Sequence, residues 1–103
     1  NKTPVQEIWH NDGDQVLAYM RGDIIFVFNF SPNRSYTDYG FIVPEGAYEV
    51  VLNTDSKDFG GNGLNDDSVT HFTNYDKLYA QDNKGWLKLY LPARSAVVLR
   101  KKK

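Results

Sequence analysis

The chain has 103 residues, with 12 Lys and Arg against 13 Asp and Glu, so its formal net charge is -1. That length suits one domain and excludes a complete (β/α)8 barrel, which needs roughly 200 residues or more. Aromatics make up 15% and cysteine is absent, which excludes a largely disordered chain, a disulfide scaffold and a thiolate metal site.

In chain order, residues 1–15 carry no clear pattern and read as a poorly defined end. Val16 to Arg21 and Ile24 to Phe30 are β-branched and aromatic runs separated only by Gly22-Asp23, which predicts a tight hairpin. Ser31-Pro32-Asn33 closes the second strand, since proline cannot continue a central ladder. A third strand is expected over Tyr36 to Ile42, and Pro44-Glu45-Gly46 supplies the next turn. Ala47 to Leu52 follows as a strand. Asn53 to Asn65, with Gly60, Gly61 and Gly63 among Asp and Asn, reads as a loop. A short strand is expected around Ser68 to Phe72, then a polar stretch from Asp76 to Gly85. Trp86 to Leu91 and Ser95 to Arg100 are the last strands, joined by Pro92-Ala93-Arg94. Residues 101–103 read as a second poorly defined end. No segment of ten residues has a helical apolar period. Seven to eight short strands with turn signals between them predict one all-β domain, an antiparallel Greek-key β-sandwich.

Charge is distributed unevenly. Arg100–Lys103 are all basic, and the preceding 99 residues hold 8 Lys and Arg against 13 Asp and Glu, a net charge of -5. An acidic body repels phosphate, so no nucleic-acid partner is expected. No stretch approaches the ~18 apolar residues of a membrane span and no signal peptide opens the chain, so no membrane partner is expected and a cytoplasmic location is.

Two strands are apolar on both faces. In Ile24 to Phe30, one face carries Ile24, Phe26, Phe28 and Phe30, and the other carries Ile25 and Val27. Ser95 to Leu99 behaves in the same way. A strand with one wet face alternates apolar and polar residues. These two are therefore either covered by the chain's own loops or packed on something outside it.

No constellation of catalytic type emerges. Asp55, Asp58, Asp66, Asp67, Asp76 and Asp82 sit among Gly and Asn, where Asp ordinarily builds Asx turns. His10 and His71 have no nucleophile-elbow Ser to serve, and read as surface or packing residues. The Asp58-to-Gly63 loop lacks the Glu and the flanking helices of an EF-hand. The same glycines lack a phosphate cradle's Gly-Lys-Ser/Thr ending. Arg21-Gly22-Asp23 is explained by the hairpin. The informative feature is aromatic: in Trp86-Leu87-Lys88-Leu89-Tyr90-Leu91 the leucines share one face, so Trp86, Lys88 and Tyr90 share the other. Trp86 and Tyr90 then stand about 13–14 Å apart, either packed under a neighbour or free to stack on sugar rings. These three are the candidate glycan-contact residues.

The motifs are also familiar. Phe26-Val27-Phe28-Asn29-Phe30-Ser31-Pro32 and Ser35-Tyr36-Thr37-Asp38-Tyr39 resemble the Phe-Asn-Phe-His-Pro and Ser-Tyr-x-Asp-Tyr runs of 1,4-α-glucan (glycogen) branching enzymes. Val51-Leu52-Asn53-Thr54-Asp55 with Phe59-Gly60-Gly61, and Pro92-x-Arg94-x-Ala96, resemble further segments of the same enzymes in the same order. Ser31 stands where His is common and Asn53 where Asp is common. The likeness is to the C-terminal all-β domain of this family, part of the α-amylase superfamily (glycoside hydrolase family 13). It implies a parent that cleaves α-1,4-glucan and transfers the chain to a 6-hydroxyl by retaining double displacement, in glycogen synthesis. The carboxylates for that chemistry sit in an upstream barrel, and none maps onto this chain. The resemblance thus implies a non-catalytic, cofactor-free accessory domain that packs on and stabilises that barrel. α-Glucan is a further candidate partner, and Arg94 is expected to fix its turn or to pair across the barrel interface.

Overall fold

The computed structural model describes residues 4–54, 69–75 and 82–103. The elements among them are all strands: β1 (Gln6–Asn11), β2 (Val16–Arg21), β3 (Ile24–Asn29), β4 (Tyr36–Pro44), β5 (Ala47–Asn53), β6 (Thr70–Phe72), β7 (Lys84–Leu91) and β8 (Ser95–Lys101). They form a six-stranded sheet in the order β1-β2-β3-β8-β5-β6 and a two-stranded sheet of β4 and β7, with every pairing antiparallel. The predicted all-β antiparallel sandwich is the observed fold. The loop read over Asn53 to Asn65 falls largely on residues 55–68, which lie outside the described set, as do Asp55, Asp58, Asp66, Asp67 and Asp76.

The hairpin between β2 and β3 pairs Arg21 with Ile24 and leaves Gly22-Asp23 as its two-residue loop. Gly22 has φ +62° while Asp23 is not left-handed. Glycine at the first central position is the requirement of a type II′ turn, whose twist matches that of the flanking strands. β4 runs through Pro44, two residues past the expected end, which its place at the edge of the small sheet allows.

The strand over Gln6–Asn11 is absent from the sequence reading, and the register explains why. Glu7 opposes Tyr19 and Trp9 opposes Ala18, so Ile8 is an inserted bulge residue that breaks the alternation. β1 is nonetheless well anchored. The Trp9 indole Nε1 donates to Tyr39 Oη on β4 at 2.8 Å, and the two rings meet edge-on with centroids 6.4 Å apart. At the other edge, Asn74 exchanges two backbone hydrogen bonds with Trp86 of β7, at 2.7 and 3.1 Å. The large sheet therefore curls round the small one from both sides.

Side chains alternate along β2, β3, β7 and β8 and most of β4, and the inward set, with Tyr48 of β5, makes the core. From the large sheet come Val16, Ala18, Met20, Ile25, Val27, Tyr48, Val97 and Leu99; from the small one come Tyr39, Phe41, Val43, Leu87, Leu89 and Leu91. Each fully buried Leu, Ile or Phe contributes about 1.5–3 kcal/mol. The buried hydroxyls are partnered: Tyr48 Oη donates to the Pro44 carbonyl at 2.7 Å and Tyr39 Oη to Asp14 Oδ2 at 2.8 Å. Burial pushes both phenols up to about 12; at Tyr39 the Trp9 hydrogen bond opposes this and Asp14 adds to it.

Candidate functional site

The described core is almost wholly apolar, so recognition is sought on the two outer faces. On the small sheet the burial pattern of β7 alternates as expected, with Leu87, Leu89 and Leu91 inward and Trp86, Lys88 and Tyr90 outward. The register places Trp86 opposite Ile42 and Lys88 opposite Gly40. A methyl group at Gly40 would come within 3.2 Å of Trp86 Cε3 and 3.5 Å of Lys88 Cγ. The missing side chain is what lets the indole lie across the neighbouring strand. Lys88 Nζ reaches Asp38 Oδ2 at 3.8 Å. Trp86 and Tyr90 are half-buried and Lys88 is exposed, so the three candidate residues share one face.

At one end of the sandwich a buried polar knot ties three segments together. Asn29 is 1% exposed. Its Nδ2 donates to the carbonyls of Arg34, Leu91 and Pro92 at 2.9, 3.0 and 3.1 Å, and its Oδ1 accepts from the Ser31 amide at 2.9 Å. Ser31 in turn accepts the Arg34 amide on its Oγ and the Arg94 amide on its carbonyl. Every polar atom of the Asn29 amide is used structurally, so the Asn29-Phe30-Ser31-Pro32 run builds architecture.

The outer face of the large sheet is different in character. The register aligns its outward side chains in rows across the strands. One row is Leu17, Phe28 and Ala96; the next is Tyr19, Phe26, Val98 and Leu52; the third is Arg21, Ile24, Arg100 and Glu49. Two apolar rows thus run side by side, bordered by a charged one. Phe30 extends the face at its end, 56% exposed and stacked on Phe28 with centroids 5.7 Å apart and planes 13° apart. Val51 and Leu52, at the bulge of β5, are also exposed, at 41% and 42%. Beside the Phe28–Phe30 stack lies a shallow hollow of about 400 Å³, bounded by Thr54, Arg94 and Ala96. On the other side of Phe30 a second hollow, about 280 Å³, is bounded by His10, Asp12, Gln15 and Leu17.

The two-faced strands at β3 and β8 announced this surface. β2 extends it through Leu17 and Tyr19, and the same signal was present there in the unbroken run from Val16 to Met20. The two histidines lie on separate strands, β1 and β6. His10 sits at the surface beside Glu7 Oε1 at 3.6 Å and Asp12 Oδ1. His71 pairs with Tyr48 across β6 and β5, and burial lowers its pKa. No group of metal-ligating side chains occurs among the described residues, and no helix among them is long and apolar enough to cross a membrane.

Residues 8–102 match the family model described as the alpha amylase, C-terminal all-beta domain. The chain is 39% identical over 90 residues to a 1,4-alpha-glucan-branching enzyme of Emericella nidulans, covering 86% of this chain and 13% of that protein. It is 38% identical over 90 residues to the 1,4-alpha-glucan-branching enzyme of Saccharomyces cerevisiae (86% and 12%), and 40% over 87 residues to that of Candida glabrata (84% and 12%). The chain thus spans about an eighth of the length of the curated relatives it matches.

Proposed function

The chain belongs to the alpha-amylase C-terminal all-beta domain family, and on that premise we propose that it is one accessory domain of a larger 1,4-α-glucan branching enzyme. Chain transfer, cutting α-1,4-glucan and rejoining it as α-1,6 branches in glycogen synthesis, is the work of the catalytic barrel elsewhere in the parent. This domain covers and stabilises that barrel through the outer face of the large sheet. A cytoplasmic location goes with the reading.

One observation carries it. Two apolar rows, Leu17-Phe28-Ala96 and Tyr19-Phe26-Val98-Leu52, face outward over four adjacent strands. Strand spacing makes that about 14 Å of apolar surface between the outermost strands. Contiguous apolar patches of this kind mark contact surfaces. Hydroxyl-radical footprinting of Tyr19, Phe26 and Phe28 tests the reading. These rings should label strongly in the 103-residue chain and weakly in the full-length parent; equal labelling refutes it. In an iodine-stain assay the parent should branch amylose and this chain alone should not.

A second role is compatible with the first: contact with α-glucan through Trp86 and Tyr90. The indole laid over Gly40 supports it, because a ring held along a sheet turns its other face outward. Calorimetric titration with glycogen decides, and a flat titration removes this role.

A further inference from the structure

Arg94 stands in a backbone conformation that its side chain does not favour. Its φ is +57°, and a left-handed residue with a Cβ costs about 1–2 kcal/mol that glycine avoids. Among the described residues its side chain makes no hydrogen bond within its own turn. That turn is held by other groups: Asn29 Nδ2 and Ser95 Oγ on the Pro92 carbonyl, Ser35 Oγ on the Ala93 amide, and the Ser31 carbonyl on the Arg94 amide. Of the two expected roles, fixing the turn is met by the backbone of Arg94 alone. Its guanidinium is exposed and has no hydrogen-bond or carboxylate partner among the described residues. Arg34 makes the contrast, since its guanidinium donates to the Gly13 carbonyl and stands 5.8 Å over the Tyr36 ring.

The position of Arg94 supplies a use. It borders the hollow beside the Phe28–Phe30 stack, at the rim of the apolar rows. A guanidinium is weakly hydrated for a cation and matches a carboxylate with two parallel hydrogen bonds, which suits it to a partly desolvated interface. We propose that Arg94 is the charged anchor of this docking face, receiving an Asp or Glu carboxylate from the catalytic portion of the parent while Phe28 and Phe30 bury against it. The proposal rests on the docking role of the large sheet and adds the chemistry that orients it. About seven-eighths of the relatives' length lies outside this chain, and that is where the acidic partner is sought.

The test uses the full-length parent carrying Arg94→Lys, treated with a zero-length carbodiimide that joins amines to carboxylates. Mass spectrometry should find the introduced amine linked to an Asp or Glu outside the 103 residues. No link from position 94, or a link only to the acids of residues 55–67, overturns the proposal. Arg94→Gly gives a second reading, because relief of the left-handed backbone alone would raise the parent's melting temperature. A fall is expected; an unchanged or higher value overturns the anchor. Footprinting of Phe28 and Phe30 in the same protein separates the two failures. Rings still protected leave docking intact and remove only the anchor, whereas rings labelled as in the chain alone remove both.

Discussion

The two outer faces of this sandwich are built from strands with the same inward periodicity, yet they end differently. The small sheet ties much of its exterior together: Trp86 lies over Gly40, Lys88 reaches Asp38, and Trp86, Lys88 and Tyr90 alternate with the buried leucines. The large sheet leaves two aligned apolar rows and an exposed Phe30 facing outward. A face that satisfies itself is indifferent to its surroundings. A face built of apolar rows is the one for which we propose a partner.

The largest effect should come from neighbouring residues of β3 that point in opposite directions. Val27 is fully buried, so Val27→Asp places a charge in the core at a cost upwards of about 4 kcal/mol. Circular dichroism should show the 103-residue chain unfolded. Phe28→Asp, one residue along, should cost the chain alone only about 1 kcal/mol. In the full-length parent it should lower the melting temperature clearly, and equal small losses in both proteins would erase the contrast between the faces.

Alkali should act on the interior that both faces share, because each sheet contributes one buried tyrosine. Tyr39 and Tyr48 titrate at about 12 in the folded chain against 10.0 for the free side chain. The folded state holds these protons more tightly, so stability is intact below pH 10 and falls as pH rises from 10 toward 12. Denaturant midpoints followed across that window should fall, and Tyr48→Phe should flatten the slope.

Smaller changes are expected on the small sheet. Trp86→Ala removes a half-buried ring and should cost about 1–2 kcal/mol, by the same amount in chain and parent, measured by urea unfolding. A larger loss in the parent would mean that this face is also covered. Lys88→Ala should be the mildest, under about 0.5 kcal/mol, since the exposed pair at 3.8 Å is screened by solvent.

Much of the architecture was legible from single residues. Gly22-Asp23 marked the hairpin, the leucine alternation oriented β7, and Pro92-Ala93-Arg94 marked the last turn. What was lost has local causes. The bulge at Ile8 scrambled the pattern of β1, and the bulge near Val51 hid the exposed end of β5. Of the candidate site, Trp86, Lys88 and Tyr90 were placed correctly on one face, because a period of two needs no tertiary information. The strain at Arg94 had no sequence signal, since the ring of hydrogen bonds that imposes it joins Asn29, Ser31 and Ser35 to a turn some 60 residues away.

The sequence by itself determined that this is an all-β antiparallel chain, and that β3 and β8 carry apolar residues on both faces. It did not decide which face turns inward, because both Ile25 and Val27 and Phe26 and Phe28 are large apolar residues. The tertiary structure chose the smaller pair. β3 lies in the middle of a curled sheet, where inward space is already shared with Phe41, Leu87 and Tyr48, and Asn29, on the same side as Ile25 and Val27, must reach the buried carbonyls of Leu91 and Pro92 and that of Arg34. That choice sends the phenylalanines out, and with them the surface for which we propose a docking role.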